Sequence, residues 1–504
     1  KAKRISLNDK RFTLSVFSAN MWGVSTQEKA PSSAKPLNPL DTFFHITERG
    51  STIGREIRGG VVTFFAMAYI LVVNPSILSA ALPQDGSITP AGIAAGTALV
   101  AGIMTILMGV VANYPLALAA GLGLNAIVAF TLVLGSGLSF QEAMGLIFWE
   151  GILITLLVLT GFRDAVFRAV PYQIKTAISV GIGLFITLVG LINAGIIRAG
   201  ATPVQLGING SLQGWPTLVF VVGLGLTIIL YVRKVKGAML IGLITSTVLA
   251  AILQLFVHLP VRSEGSPTGW GQTIPALSGS PISIPSFNSL FQINFFGAFG
   301  KLGVVSVVLL IFSLMLADFF DTMGTMVAVG AEGGLLDEGG NPPHSSRILL
   351  IDSLAAAAGG LGGVSSNTSY IESTAGVGEG ARTGLASVVT GVLFLLSTFL
   401  SPLVQLVPTE AASTALVFVG FLMMAQVLEV DWKDPEYAIP GFLTIAFMPF
   451  AYSISVGIGV GFIAYTVIQI TLGKARQIHP LMWLTSILFV VYFLLGPIRA
   501  ALGA

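Results

Sequence analysis

The chain has 504 residues, of which 54% are hydrophobic and only 10% are charged. Soluble domains carry about 25% charged residues, so this composition excludes a soluble globular protein and predicts a polytopic membrane protein. The net charge of +2 gives no indication of a nucleic-acid partner, and the lack of cysteine excludes disulfides, thiol catalysis and thiolate metal sites. The scattered histidines have no metal-ligand spacing, so we expect neither a metal nor a cofactor.

The N-terminal region precedes the first apolar segment. Residues 1–40 form a polar tail rich in Lys and Arg, without a secretory apolar region and cleavage site. Residues 41–58 predict an amphipathic segment before the membrane. Arg49, Arg55 and Arg58 then place the N-terminus in the cytoplasm by the positive-inside rule. We therefore expect a multi-pass protein of the cell membrane, either an inner or a plasma membrane.

Apolar segments long enough to cross a bilayer, about 20 residues each, occur in two series. The first series is 59–80, 91–112, 115–135, 142–161, 172–197, 215–232 and 237–258. A Ser/Pro/Gly-rich loop at 259–297 is expected to be extracytoplasmic. The second series is 300–329, 346–362, 364–379, 384–407, 411–429, 437–452 and 454–472. The sequence thus predicts an all-α polytopic membrane protein with fourteen transmembrane segments. An extra C-terminal apolar helix at 480–498 is either a fifteenth span or a helix against the bundle.

Basic residues support this count of spans. They follow the even-numbered spans, as Arg163, Arg168, Arg233, Lys234, Lys236, Arg347, Arg382, Lys433, Lys474 and Arg476. The ends of the odd-numbered spans mostly lack Lys and Arg, with Arg198 and Arg262 as exceptions. An excess of Lys and Arg marks cytoplasmic loops, so the distribution fits spans that alternate in direction.

The two halves of the chain resemble each other weakly. The segment that opens span 5 at Pro171 is similar to the segment that opens span 12 at Pro408, seven spans later. An odd number of spans in each half makes the second copy inverted. Inverted repeats with broken helices near the membrane midplane are a recurrent plan of transporters.

Residues 364–377, Val-Ser-Ser-Asn-Thr-Ser-Tyr-Ile-Glu-Ser-Thr-Ala-Gly-Val, are polar although apolar segments flank them. Their carboxylate, Glu372, costs several kcal/mol at membrane depth unless it is paired, protonated or hydrated. Non-helical backbone at this depth is tolerated only where protein or a water-filled cavity surrounds it. We interpret this stretch as half of a substrate site.

The inverted repeat makes span 3 the partner of span 10. Span 3 contains Gly121, Gly123 and Asn125, a breakable backbone followed by an amide. A Gly-rich helix contact, with Asn125 bonded to a neighbour, would explain the same residues. Alternatively, Asn125 opens a half-helix whose free N–H groups face a ligand.

Span 8 carries two carboxylates, Asp318 and Asp321, which lie three residues apart and therefore share one helix face. An interfacial position for one of them is the alternative, although apolar residues continue beyond them. We expect these aspartates to converge with Glu372 and Asn125 on a planar heteroaromatic ring that carries N–H groups.

Aromatic residues near these groups could stack on such a ring, although packing in the core or against lipid explains each of them alone. The candidates are Phe64, Phe65, Tyr69 and Tyr370. We expect two further acids to matter less. Glu150 is expected to pair within the bundle, and Asp352 to lie near the cytoplasm, where water reaches it.

Four motifs together resemble the AzgA-like purine permeases of the nucleobase/ascorbate transporter superfamily. They are Asp-Phe-Phe-Asp-Thr-Met-Gly-Thr at 318–325, Asn-Pro-Pro-His-Ser-Ser-Arg at 341–347, Ser-Asn-Thr-Ser-Tyr-Ile-Glu-Ser-Thr-Ala-Gly-Val at 366–377 and Asp-Thr-Phe-Phe-His-Ile-Thr-Glu-Arg-Gly at 41–50. The resemblance runs from about residue 40 to residue 472.

This resemblance implies a fold of two inverted seven-segment repeats. A core would comprise 59–161 and 300–407, and a gate that commonly dimerises would comprise 172–258 and 411–472. The broken spans 3 and 10 would begin with short extended segments that meet between core and gate. Family members import adenine, guanine and hypoxanthine together with protons.

The resemblance also assigns site residues. It matches Asn125, Asp318, Asp321 and Glu372 to binding positions of the family and Gly123 to a transport position of span 3. To the substrate-binding candidates we add Tyr370, Phe65 and Ser373, and to the transport or hinge candidates Gly121 and Gly324. Proton coupling is expected at Asp318, Asp321 or Glu372. The expected partners are a purine nucleobase, a proton, the lipid bilayer and a second copy of the chain, and not nucleic acid.

The predicted function is secondary active import of purine nucleobases by proton symport with alternating access. The alternatives are another nucleobase such as uracil or xanthine, a small anion on the same fold, or a receptor that binds purines without moving them. The sequence contains no phosphate-binding P-loop and no nucleophile–base pair, so we do not expect an enzyme.

Overall fold

The computed structural model describes residues 38–160, 170–200, 202–276, 280–337 and 341–502. The predicted polar tail lies outside the described residues up to residue 37, as do Arg163 and Arg168 of the charge pattern.

The first half of the described chain consists of helices and three short strands. The helices are α1 Pro39–Phe44, α2 Ile53–Met67, α3 Ile70–Leu78, α4 Pro90–Leu107, α5 Leu122–Ala126, α6 Phe140–Thr160, α7 Tyr172–Asn193, α8 Trp215–Val232 and α9 Ala238–Val257. The strands are β1 Leu118–Ala120, β2 Ile197–Arg198 and β3 Gln205–Leu206. Wider π-helical turns, Met108–Ala112 and Ile127–Gly135, extend α4 and α5.

The second half follows a similar order. Its helices are α10 Gly297–Leu302, α11 Val304–Gly333, α12 Ser345–Gly362, α13 Ser373–Gly378, α14 Gly384–Ser397, α15 Thr409–Met424, α16 Pro435–Phe450, α17 Ile454–Thr471 and α18 Pro480–Leu502. Its strand is β4 Asn367–Ser369.

Ten helical segments among the described residues are long and apolar enough to cross a membrane. This confirms a mostly helical, polytopic membrane protein, while the count of fourteen segments and the inverted repeat stay predictions. Shorter apolar helices include Leu122–Gly135 and Pro480–Leu494. The latter belongs to α18, which packs against α17 and α11.

The first membrane helix begins earlier than expected and is broken. The Thr52 hydroxyl accepts a hydrogen bond from the Arg55 N–H at 3.3 Å, and this N-cap starts α2 inside the segment expected to precede the membrane. The helix is then interrupted at Ala68 and Tyr69, between α2 and α3.

Two extended segments from distant parts of the chain pair in the interior. Strands β1 and β4 are antiparallel, with Leu118 opposite Ser369 and Ala120 opposite Asn367. Backbone groups at this depth have no water to bond, so the two strands satisfy each other's N–H and C=O groups. Each strand is followed by a short helix, α5 or α13, where the sequence predicted broken spans 3 and 10.

Glycine allows helices α6 and α12 to pack closely. A Cβ added to Gly151 in α6 would lie 2.3 Å from the backbone nitrogen of Ala357 in α12. A Cβ added to Gly360 in α12 would lie 2.8 Å from the nitrogen of Phe148 in α6. This contact brings polar side chains on α6 and α12 into the same buried region.

The two basic residues that depart from the charge pattern have local partners. Arg262 pairs with Glu410 at 2.8 Å, and Arg198 donates to the Pro267 carbonyl at 2.7 Å. Arg262 therefore ties the loop before α10 to the start of α15, and Arg198 ties strand β2 to the same loop, which gives both basic residues a structural role on this side.

Glu56 connects α2 to the start of α14, and we expect its replacement to destabilise the protein. Its buried carboxylate accepts the backbone N–H groups of Arg382 at 2.8 Å and Thr383 at 3.2 Å. Glu56→Ala would leave both donors unsatisfied, so we expect the free energy of unfolding to fall by about 2–4 kcal/mol. Denaturation of the detergent-solubilised protein measures this change. Glu48→Ala, which removes an exposed carboxylate, should change stability little, and equal losses in both variants would contradict the account.

Candidate functional site

Glu372 lies directly before α13, where the β4 strand and its short helix meet. The Tyr69 hydroxyl donates to Glu372 Oε1 at 2.6 Å. Tyr69 comes from the break between α2 and α3 and is 1% exposed. Glu372 itself stays partly exposed, so its carboxylate is held from one side and can be reached from another.

The two aspartates of α11 have different surroundings. Asp321 is exposed and lies within electrostatic range of Glu372. Asp318 is fully buried and lies beside Glu150 of α6. The pair that the sequence placed on one helix face is therefore divided between an accessible position and a buried one.

Asp352 belongs to the same cluster, and the expectation that water reaches it is wrong. Its carboxylate accepts the hydroxyls of Thr322 and Ser369, each at 2.7 Å, and the residue is 2% exposed. The Ala- and Gly-rich surface of α12 packs so closely on its neighbours that Asp352 faces strand β4. The Thr322 hydroxyl also lies 2.9 Å from that of Thr368, which extends the network to the centre of β4.

Glu150 lies against another acid rather than a basic partner. It is fully buried beside Asp318 and Ser366, and its oxygens form no hydrogen bond of normal geometry. Within the described residues, no ion pair links any of these carboxylates to a basic side chain. Buried like charges repel strongly, so such a cluster is stable only when protons or a cation neutralise part of its charge.

Asn125 lies in α5, close to the end of β1. Its backbone N–H donates to the Gly121 carbonyl at 2.8 Å. Both polar atoms of its amide are buried without a hydrogen-bond partner among the described residues. A Gly-rich helix contact would explain Asn125 only if its amide bonded to a neighbouring residue. Among the described residues it has no such hydrogen bond. A buried amide without partners costs free energy and points to recognition of a polar ligand.

Tyr370 and Ser373 hold the paired strands together. The Tyr370 hydroxyl donates to the Ala120 carbonyl at 2.6 Å, and the Ser373 hydroxyl accepts the Ala117 N–H at 3.0 Å. Both polar groups are thus engaged with the backbone around β1, which makes them supports of the site in this conformation.

Phe65 is not brought to the carboxylates. Its side chain is 52% exposed, and its ring contacts Phe64 with centroids 5.4 Å apart. Tyr69, one helical turn further along, reaches Glu372 instead. Tyr69, and not Phe65, is therefore the aromatic residue of this segment that contacts the cluster.

The three predicted hinge glycines have different environments. A Cβ on Gly121 would lie 2.8 Å from the Thr368 methyl, and one on Gly123 would lie 2.7 Å from the Ile182 Cγ2 atom of α7. A Cβ on Gly324 would meet no heavy atom within 4 Å. Close approach therefore requires glycine at the first two positions but not at Gly324.

The sequence did not predict that Tyr69, Glu150 and Asp352 belong to the cluster. Tyr69 was considered only for stacking, Glu150 only for an internal pair and Asp352 as a hydrated group. The available signal was their polarity within apolar helices, together with the spacing of Thr322 one turn beyond Asp318.

Both the sequence and the fold have relatives among known proteins. A model of the Permease family (Xan_ur_permease) matches residues 54–460. The guanine/hypoxanthine permease PbuG of Bacillus subtilis is 40% identical over 459 residues, 90% of this chain and 99% of that protein. The adenine permease AdeP of Escherichia coli is 37% identical over 453 residues, 90% of this chain and 95% of that protein. The transmembrane domain of the cyanobacterial bicarbonate transporter BicA has a TM-score of 0.56 at 16% identity, covering 80% of this chain and 97% of that domain, which shows a shared fold.

Proposed function

The chain belongs to the Permease family, and from this premise we propose that it is a secondary active transporter of purine nucleobases, importing adenine, guanine or hypoxanthine. The similar permeases for guanine/hypoxanthine and for adenine support this substrate class. The observation that carries the proposal is the arrangement around β1 and β4, where a reachable carboxylate, Glu372, and a buried amide without partners, Asn125, follow paired strands.

The proposed architecture has fourteen transmembrane segments in two inverted repeats of seven, with the N-terminus in the cytoplasm. Residues 59–161 and 300–407 form the core, and residues 172–258 and 411–472 form the gate, through which two copies associate. The pairing of strands that open corresponding segments of the two halves supports this plan.

Recognition of the base rests on complementary hydrogen bonds. Ring N–H groups of a purine donate to Glu372 and to Asp321, the two reachable carboxylates. Asn125 offers both a donor and an acceptor, which suits the exocyclic edge of the base. The hydrogen bonds to the two carboxylates are charge-assisted, so they are stronger than the hydrogen bonds to the neutral amide of Asn125.

We propose that protons drive transport. The buried carboxylates lack a basic partner among the described residues, so protonation is the simplest way to neutralise part of their charge. Asp318 is our choice of proton carrier, and Glu372 acts chiefly as ligand. Moving a core with neutralised carboxylates between inward-facing and outward-facing positions costs less free energy than moving a charged one.

Gly123 provides a test of movement at the proposed boundary between core and gate. Gly123→Ala would place a methyl group 2.7 Å from Ile182 Cγ2, so we expect uptake to fall about tenfold through a displaced α5. Gly225→Ala, where nothing lies within 4 Å, should transport like the wild type. Equal uptake by the two variants would contradict a functional contact between α5 and α7.

Uptake by proteoliposomes tests the proposed function. The purified protein should accumulate radiolabelled adenine or hypoxanthine, and unlabelled purines should compete. Binding without flux would instead indicate a receptor. Competition by uracil or xanthine alone would change the substrate, and sulfate or bicarbonate flux would overturn the nucleobase proposal.

A further inference from the structure

We infer that Tyr69 is a positioning residue, which holds Glu372 as a carboxylate in a fixed orientation for the base. The inference deepens the proposed function and rests on it for the identity of the ligand. Its basis is the hydrogen bond of 2.6 Å from the Tyr69 hydroxyl to Glu372 Oε1.

The residue that makes this contact lies in the turn between α2 and α3. Met67 ends α2 and Ile70 begins α3, and Tyr69 lies between them, almost fully buried. In a continuous helix Phe65 and Tyr69 would share a face. In the structure Phe65 is half-exposed, whereas Tyr69 is buried and its hydroxyl reaches Glu372.

The chemistry of the pair favours the charged form of the acid. A phenol donates one O–H, and an ionised carboxylate can only accept. A hydrogen bond to an ionised group is short and strong, so Tyr69 stabilises Glu372 as a carboxylate. Oε1 is engaged by Tyr69, and no described residue bonds to Oε2, so Oε2 is the oxygen that can still accept a hydrogen bond from a ligand.

The other titratable groups near Glu372 do not provide this support. Asp321 approaches from α11 and carries the same charge, and Tyr370 directs its hydroxyl to the Ala120 carbonyl. Tyr69 is therefore the donor that offsets the repulsion from Asp321. Its loss should affect the protonation of Glu372 as well as the affinity for a base.

Infrared titration of the purified protein tests the link without any ligand. The band of a protonated carboxyl that disappears in Glu372→Gln should emerge at higher pH in Tyr69→Phe than in the wild type, by about one pH unit. Tyr172→Phe removes a phenol hydroxyl that donates to Glu429, away from the site, and should leave that midpoint unchanged. An unshifted midpoint in Tyr69→Phe would overturn the inference.

Equilibrium binding of tritiated adenine and hypoxanthine gives the second measurement. Tyr69→Phe should bind about tenfold more weakly at neutral pH, with the acid limb of the binding profile moved to higher pH. Weaker binding with an unmoved profile would reduce Tyr69 to a packing role. If the wild type binds neither base, the proposed function fails, while the infrared result still decides whether Tyr69 controls Glu372.

Discussion

Replacement of Glu372 by glutamine should weaken purine binding about a hundredfold and nearly abolish uptake. The amide loses the charge that strengthens hydrogen bonds from ring N–H groups. One of its two ends is now a donor: turned toward the base it opposes a ring N–H, and turned toward Tyr69 it reverses the direction of the 2.6 Å hydrogen bond. Equilibrium binding of radiolabelled adenine and hypoxanthine measures the change directly.

Two further variants separate the role of this carboxylate from general charge effects. Glu332→Gln removes an exposed carboxylate at the end of α11 and should bind like the wild type. Glu372→Asp keeps the charge but shortens the side chain, so its affinity should lie between those of the wild type and Glu372→Gln. Undiminished affinity in Glu372→Gln would exclude Glu372 as the main ligand.

Asp318→Asn should separate exchange of purines from their accumulation. Asp318 is fully buried beside Glu150, whereas Asp321 and Glu372 form the reachable pair, so its neutralisation should leave the binding surface in place. Counterflow of labelled base should persist. Accumulation driven by a pH gradient should fall to a ratio of about one, because without coupling the gradient supplies no free energy.

The neighbouring aspartate is the comparison for this prediction. Asp321→Asn removes a reachable carboxylate and should weaken binding itself, which lowers counterflow as well as accumulation. Asp85→Asn, in an exposed turn where the side chain accepts the Ser87 N–H, should change neither. Normal pH-driven accumulation by Asp318→Asn would transfer the coupling role to another carboxylate.

The sequence predicted those features that depend on local composition. Apolar segments define a polytopic membrane protein, and Glu372, Asp318 and Asn125 were identifiable because polar groups within apolar segments are costly. The Gly- and Ser-rich stretches before Asn125 and Glu372 also indicated where helices break. The structure has short strands and half-helices there.

Contacts between distant segments could not be predicted from the sequence. Strands β1 and β4 have three residues each, too few for an alternating pattern, and they pair across about half of the chain. The burial of Asp352 depends on how closely α12 packs against α6, which no single segment reveals. Glu150 could be recognised as costly, but its neighbour Asp318 comes from another helix.

For Phe65 and Tyr69, periodicity alone could not predict which of the two side chains contacts the carboxylates. Their spacing of four residues gives no reason to prefer either of them in a regular helix. In the structure Phe65 lies at the surface, while the Tyr69 hydroxyl donates to a carboxylate from the other half of the chain. A sequence pattern could identify the aromatic residues but not this choice between them.

An electron cryomicroscopy structure of the purified protein with adenine or hypoxanthine tests the central claim most directly. We expect density for one planar base between the end of β1 and the start of α13, within hydrogen-bond distance of Glu372 and next to Asn125. This density should be missing in Glu372→Gln prepared in the same way. A base bound elsewhere, with Glu372 and Asn125 uncontacted, would contradict the assignment of this site.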